Sequence, residues 1–250
     1  MNILIVNDDS IDSPGIALLA QAAREFGRVW VVAPDTQCSA MSQKLTIRGV
    51  LTAKPVSDFP VAVEGAYRVS GSPADCVRVA LDCLLEERPD YVLSGINDGY
   101  NVGYEIAYSG TVGAAFEAVM NGIPAMAFSN AYQASLDTPR VYLRSILQEL
   151  FQIGQACGEI WNVNFPDRGP QDVAGVLRQR CVGPARMFGN AYLRRELPDG
   201  SSHLEIQGIA LPVEQTISQD TDIAAVSQGY VSIGKVLSPV MAHHAERRSL

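Results

Sequence analysis

A short apolar run at the N-terminus closes on Asn7-Asp8-Asp9, and this acidic pair is the most chemically pointed feature of the chain. Two adjacent carboxylates raise each other's pKa unless positive charge lies between them. The only basic residue in the nearby loop 34–44 is Lys44, so a metal ion is the simpler neutraliser. Ser39 in that loop and Asn97 after a later apolar run would complete an all-oxygen donor set with Asp8 and Asp9. Such donors suit a hard Mg²⁺ or Mn²⁺ ion that keeps part of its water shell. Zinc is a poor match, since only Cys38 offers a softer ligand there. The plainer alternative is that the acidic pair caps a turn, Asn97 makes an Asx-turn and Ser39 is a solvated loop hydroxyl.

A second constellation is Ser109-Gly110-Thr111, placed where a helix should begin. Free backbone N–H groups, hydroxyls and the positive end of the helix dipole make such a start a ready anion site. A plain N-cap is the alternative there. Cation and anion sites after strands of one sheet are together what metal-assisted hydrolysis of a phosphate ester requires.

These residues need strands and helices that bring them to one edge. Apolar β-type runs alternate with helical runs, the pattern of a parallel α/β sheet. Strands are expected at residues 2–7, 29–33, 91–94, 125–129 and 160–164, with extended segments over 45–70. Ser13-Pro14, Ser72-Pro73 and Thr138-Pro139 each supply an N-cap followed by a proline at the first helical position. A further helix is expected over about 111–120. In such sheets ligands bind beyond the carboxyl ends of the strands, where Asp8, Asp9 and Asn97 fall. Loop 34–44 is long for a strand-to-helix connection, which favours a functional role. Beyond Pro166 short β-like runs at 173–182, 192–197 and 203–209 suggest hairpins that reach a second subunit. The expected organisation is therefore a catalytic domain over residues 1–170 and a β-rich C-terminal extension over 171–250.

Composition narrows the partners. The chain has 250 residues and a formal net charge of −8, with no diffuse positive field for a nucleic acid. No apolar run reaches the roughly 18 residues of a membrane span, and the N-terminus lacks the pattern of a secretory signal, so a cytoplasmic protein is expected. Five cysteines with no C-x-x-C pair suggest neither a disulfide framework nor a cysteine zinc site.

The residues then form a familiar series: Val6-Asn7-Asp8-Asp9 with Pro14-Gly15-Ile16, Ala33-Pro34-Asp35 through Ser39, Gly71-Ser72-Pro73-Ala74-Asp75-Cys76-Val77, Ser94-Gly95-Ile96-Asn97 with Gly99 and Asn101, Tyr108-Ser109-Gly110-Thr111-Val112, Thr221-Asp222 and Gly229-Tyr230-Val231-Ser232-Ile233. In this order they resemble the survival protein E (SurE) family of nucleotidases. The resemblance implies a Rossmann-like three-layer α/β sandwich with a mainly parallel sheet, and a C-terminal extension used in homodimers or homotetramers. It implies one divalent cation per subunit and hydrolysis of nucleoside 5′-monophosphates, often also 3′-monophosphates and sometimes short polyphosphate. Position by position, the metal ligands fall on Asp8, Asp9, Ser39 and Asn97, and the phosphate contacts on Asn7, Ser109, Gly110 and Thr111, with Asn97 also facing the substrate. Asp8 or Asp9 would be the base. This chain departs from the family pattern at Ser10 and Ala40, where glycine is usual, and at Asp98, an added acid after Asn97.

Two rivals fit less well. An aspartyl-phosphate phosphatase carries a second Asp two positions after its nucleophile, but position 10 is Ser. A receiver-like signalling module would need a phosphoacceptor Asp where this chain reads Ser94-Gly95-Ile96. Neither a G-x-G-x-x-G after the first strand nor a G-x-x-x-x-G-K-[ST] loop is present. His203, His243 and His244 lie in the last third of the chain and are read as surface or interface residues.

Overall fold

The computed structural model describes residues 1–211 and 217–241, so His243 and His244 lie outside the described residues. The expected alternation is realised: β1 (Asn2–Val6), α1 (Pro14–Ala23), β2 (Arg28–Pro34), β3 (Ala53–Pro55), β4 (Gly65–Val69) and α2 (Pro73–Val79) open the chain. There follow β5 (Tyr91–Asp98), α3 (Gly110–Met120), β6 (Ala125–Asn130), α4 (Asp137–Ile153) and β7 (Glu159–Phe165). The last part holds β8 (Gly175–Arg180), β9 (Phe188–Glu196), β10 (Ser202–Ala210), α5 (Asp222–Ser227) and β11 (Tyr230–Leu237). Two of the Ser-Pro starts work as read. Ser13 accepts the Ile16 N–H at the head of α1, and Ser72 forms a reciprocal capping box with Asp75 at the head of α2.

Nine strands form the main sheet in the order β3-β4-β2-β1-β5-β6-β7-β11-β8. From β4 to β7 every neighbouring pair is parallel, and β11 runs antiparallel to β7. The chain goes one way from β1 to β2 and returns to β1's other side with β5, so the strand order reverses between β1 and β5. A crevice opens beyond the strand ends at such a reversal, which is where an α/β sheet receives a ligand.

The pleat sorts β1 between two cores. Ile3 and Ile5 pack with Leu19 of α1 and Leu143 and Leu147 of α4, whereas Leu4 and Val6 pack with Val77 of α2 and Val112 and Ala115 of α3. All four strand residues are fully buried, each contributing roughly 1.5–3 kcal/mol of apolar burial. A slip of one residue would exchange both faces at once, so the position of Asp8 just past the strand is fixed by its core.

Two expectations are corrected. β5 does not stop at Ser94 but continues through Asn97 to Asp98, its pairing with β6 resuming after a register shift between Ser94 and Asn97. Gly95 makes this possible: its φ is +134°, and a Cβ there would lie 2.3 Å from the Phe128 carbonyl oxygen. Beyond residue 170, β8 is not a hairpin strand but a member of the main sheet, paired in parallel with β11. Among the described residues only β9 and β10 form a separate two-stranded hairpin. Buried apolar faces draw β11 inward, since Val231 and Ile233 join the α1/α4 core. Among the described residues no helix is long and apolar enough to cross a membrane.

Candidate active site

Asp8 is 4% exposed at the end of β1, directly facing the N-terminus of α3. The Thr111 hydroxyl donates to Asp8 Oδ1 at 2.5 Å and the Thr111 N–H to Oδ2 at 3.2 Å. Gly110 permits this approach, because a Cβ at that position would lie 2.9 Å from Asp8 Oδ2. The backbone of Asp8 also receives the loop after β2, through the Cys38 N–H at 2.7 Å from its carbonyl oxygen. Ser39, the next residue, is thereby brought beside Asp8, and it is exposed.

Asp9 is joined to the end of β5. Its Oδ2 accepts the Asp98 N–H at 2.8 Å, and its Oδ1 has only a long contact of 3.4 Å with the Gln37 amide. Asn97 donates its amide N–H to the Gly99 carbonyl at 2.7 Å, which leaves the amide oxygen for another partner. Asn7 is fully buried and donates to the Ser10 carbonyl at 2.7 Å and the Ser13 hydroxyl at 3.0 Å. Its donors thus serve the β1–α1 turn, and its Oδ1 is buried without a partner. Ser109 acts as the N-cap of α3, accepting the Val112 N–H at 3.0 Å and keeping its own hydroxyl hydrogen for a ligand. The structure therefore gathers Asp8, Asp9, Asn97 and the Ser109–Thr111 helix start at one end of the sheet, with the exposed Ser39 next to the Cys38 that bonds the Asp8 backbone.

Burial dominates the electrostatics. Asp8 is pushed up to about 6 by desolvation, helped by the Asp9 charge and opposed by the Thr111 hydrogen bonds. Asp9 is also raised, by burial and by the charge of Asp98, against the Asp98 N–H. Among the described residues no Lys, Arg or His forms an ion pair with either one. The nearest ion pair in the β1–α1 turn is Arg68 with Asp12, at 2.7 Å. Nor does any group of three or more His, Cys, Asp or Glu gather into a metal-holding cluster among those residues. A cation here would thus draw on hydroxyl and amide oxygens beside the two carboxylates, and these hard donors fit Mg²⁺ or Mn²⁺. Next to the dyad opens a cleft of about 430 Å³ lined by Asp9, Gln37, Asn97, Asp98, Asn130 and Gln133.

A family model described as survival protein SurE matches residues 3–184. The chain belongs to the SurE family. It is 37% identical over 246 residues to a 5′-nucleotidase SurE of Flavobacterium psychrophilum, covering 97% of this chain and 94% of that one. It is 37% identical over 247 residues to a 5′/3′-nucleotidase SurE of Yersinia enterocolitica, with 98% and 95% covered. The crystal structure of the SurE protein from Aquifex aeolicus superposes with a TM-score of 0.80 at 31% identity, covering 99% of this chain and 98% of that one. The Rossmann-like α/β architecture expected from the resemblance is that of this SurE neighbour.

Sequence reasoning placed the strand-end SurE residues but missed what holds them. Thr111, a phosphate contact by the family resemblance, instead spends its hydroxyl and N–H on Asp8, a link that no sequence pattern signals. Asn101, quoted only as part of the family pattern, joins β5 to the sheet beyond it. Its N–H donates to Asn164 Oδ1 at 2.8 Å, its carbonyl accepts from Asn162 at 2.8 Å, and its side chain donates to Ser129 at 2.7 Å. Asparagines at alternate positions of an otherwise apolar strand, Asn162 and Asn164, were the available signal, since buried amides require partners.

Proposed function

We propose that this chain is a divalent-metal-dependent 5′-nucleotidase that hydrolyses nucleoside monophosphates to nucleoside and phosphate. The observation that carries this reading is a pair of pKa-raised carboxylates without a basic partner, set against the N-terminus of α3 in a SurE-family chain. Asp8, Asp9, Ser39 and Asn97 would hold Mg²⁺ or Mn²⁺, one per subunit. When bound, that ion supplies Lewis-acid polarisation of the phosphoryl group and lowers the pKa of a water molecule.

The chain's own groups do the rest. The hydroxyl hydrogen of Ser109 and the Gly110 N–H, the first-turn donors of α3 not already given to Asp8 or Ser109, face the phosphate and stabilise its equatorial oxygens as charge shifts onto them. Each Asp8 oxygen gives one acceptor position to Thr111, and the positions that remain go to the cation rather than to a nucleophilic or basic role. This arrangement also disfavours an aspartyl-phosphate route. Asp9 Oδ1, with only the long Gln37 contact, is the oxygen open to accept a proton. As water adds to phosphorus and the bond to the ribose oxygen breaks, that proton passes to Asp9 and returns to the leaving oxygen.

The 5′/3′-nucleotidase name of a relative supports 3′-monophosphates as second substrates. The β9–β10 hairpin supports assembly into a homodimer or homotetramer, because Phe188, Tyr192, Leu193, Leu204, Ile206 and Ile209 are all exposed on it. Phosphate release from a panel of 5′- and 3′-monophosphates, with Mg²⁺, Mn²⁺ or EDTA, tests the activity directly. Metal-dependent release that is lost in Asp9→Asn is the expected result; no release by a folded wild type would overturn it.

A further inference from the structure

Between the end of β2 at Pro34 and the start of β3 at Ala53 the chain has no strand or helix of its own. The loop that carries Ser39 is therefore fixed by individual contacts rather than by a ladder. One is the Cys38 N–H on Asp8. In the middle, Ser42 donates its N–H to the Tyr108 carbonyl and its hydroxyl to the Ala107 carbonyl, both at 2.9 Å. Four residues on, the loop meets α2, where the Thr46 N–H donates to Asp75 Oδ1 at 2.9 Å and the Thr46 hydroxyl to Oδ2 at 2.8 Å, before its end is held at Ser70 by the Thr52 N–H.

Asp75 already belongs to the capping box. Its Oδ2 accepts the Ser72 N–H at 2.9 Å, the Ser72 hydroxyl accepts the Asp75 N–H at 3.1 Å, and that hydroxyl donates in turn to the Lys44 carbonyl. Gly71 leaves room for the turn, since a Cβ there would lie 2.9 Å from Asp75 Cβ. A cap needs only the Ser72 bonds. Two further donors from Thr46, with a third loop contact at Lys44, are what capping alone does not explain. Asp75 is 3% exposed. Burial pulls its pKa up, but the Thr46 and Ser72 donors outweigh this and hold the carboxyl below its ordinary value.

We infer that Asp75 is a positioning residue for the active site, tying the loop at Thr46 to the head of α2 and so setting where Ser39 stands against Asp8 and Asp9. This rests on the cation site proposed above. It gives the Gly71-Ser72-Pro73-Ala74-Asp75 motif a role beyond starting a helix. Glu117 adds a parallel hold from α3, accepting the Gln43 amide at 2.9 Å.

The test compares wild type with Asp75→Asn, Thr46→Val and Ser39→Ala by Mn²⁺ titration calorimetry, by turnover at saturating Mn²⁺, and by hydrogen exchange in the metal-free protein. Asp75→Asn should weaken Mn²⁺ binding about tenfold while kcat at saturating Mn²⁺ stays within about threefold of wild type. Exchange should quicken across residues 39–46 and stay unchanged in β1 and α3. Thr46→Val, which leaves the capping box intact, should show the same pattern more weakly. Wild-type Mn²⁺ affinity and exchange in Thr46→Val would overturn the proposal, even if Asp75→Asn unfolds. Undiminished Mn²⁺ binding in Ser39→Ala would instead remove Ser39 from the cation site. Exchange in Thr46→Val then still decides whether the loop is anchored through Asp75.

Discussion

The two sides of the site are built by different means. Asp8 and Asn97 stand at the ends of β1 and β5, whose mutual register runs from Ile3 with Tyr91 to Val6 with Ser94. Ser39 stands on a loop with no strand or helix between Pro34 and Ala53, held on either side of it by single contacts at Cys38, Ser42 and Thr46. On the strand side position is a by-product of a fully buried core, and losing it means losing the sheet. On the loop side position depends on a few hydrogen bonds, each worth about 0.5–1.5 kcal/mol. A site assembled this way has one half fixed by the sheet and one half fixed by a few loop contacts.

Substitutions on the strand side should therefore be far more damaging. Asp9→Asn removes both a carboxylate ligand and the proposed base, and turnover should fall about 10³-fold with little change in melting temperature. Thr111→Val keeps the volume of the side chain but takes the donor from Asp8 Oδ1, and should cost about 10²-fold in turnover. Because the Thr111 bond lowers the Asp8 pKa, its loss should also move the acid limb of the rate profile to higher pH. Ser39→Ala on the loop side should cost only about tenfold in metal affinity, largely recovered by excess metal. Equal damage from Ser39→Ala and Thr111→Val would abolish the distinction between the two sides.

The same contrast governs what could be read from the sequence. Strand-end positions were legible because an apolar run fixes both the strand and the residues that follow it, and Asp8 and Asp9 fall just past β1 as that logic requires. The extension of β5 through Gly95 was not, since a positive φ and a register shift leave no mark in a hydrophobic pattern. Nor were the loop anchors. Thr46 and Asp75 lie 29 residues apart, and only the folded chain brings them together. β8 looks like a hairpin strand by composition, and its place in the main sheet follows from β11, which covers the α1/α4 core and pairs with β8. Ser10 and Ala40 were noticed as departures from the family's glycines without a reason; both have positive φ, +79° and +55°.

Protons should compete with the cation on the strand side. Asp8 in the metal-free protein is raised from 3.8 to about 6, so the folded state holds this proton more tightly than the unfolded chain does. Its stabilising contribution is complete below 3.8 and is lost as pH rises through about 6. Metal-free protein should thus lose stability across this window, and Mn²⁺ should restore it above the window. Apparent Mn²⁺ affinity should climb to about pH 6 and then level off, with proton release on binding that fades as pH rises further. Denaturation and calorimetry from pH 4 to pH 8, with and without Mn²⁺, follow both curves. Flat affinity below pH 6 would mean that Asp8 does not ligate the ion.

The smallest effect is the sharpest for the loop side. Ala40 holds a left-handed backbone that costs an L-residue about 1 kcal/mol, and Gly in its place would relieve that cost at the expense of some unfolded-state entropy. Ala40→Gly should therefore raise stability slightly, by about 0.5 kcal/mol, in urea unfolding of the metal-free protein. Ser10→Gly should gain less, since Ser10 also accepts the Asp12 N–H at a long 3.4 Å. On an anchored loop the conformation at residue 40 also preorganises Ser39, so Ala40→Gly should weaken Mn²⁺ binding about twofold even as it stabilises the fold. Opposite signs for stability and metal affinity are expected only if the conformation at residue 40 helps to place the ligand. If both rise together, the left-handed turn at Ala40 is plain strain, and Ser39 owes its position to the anchors at Cys38, Ser42 and Thr46 alone.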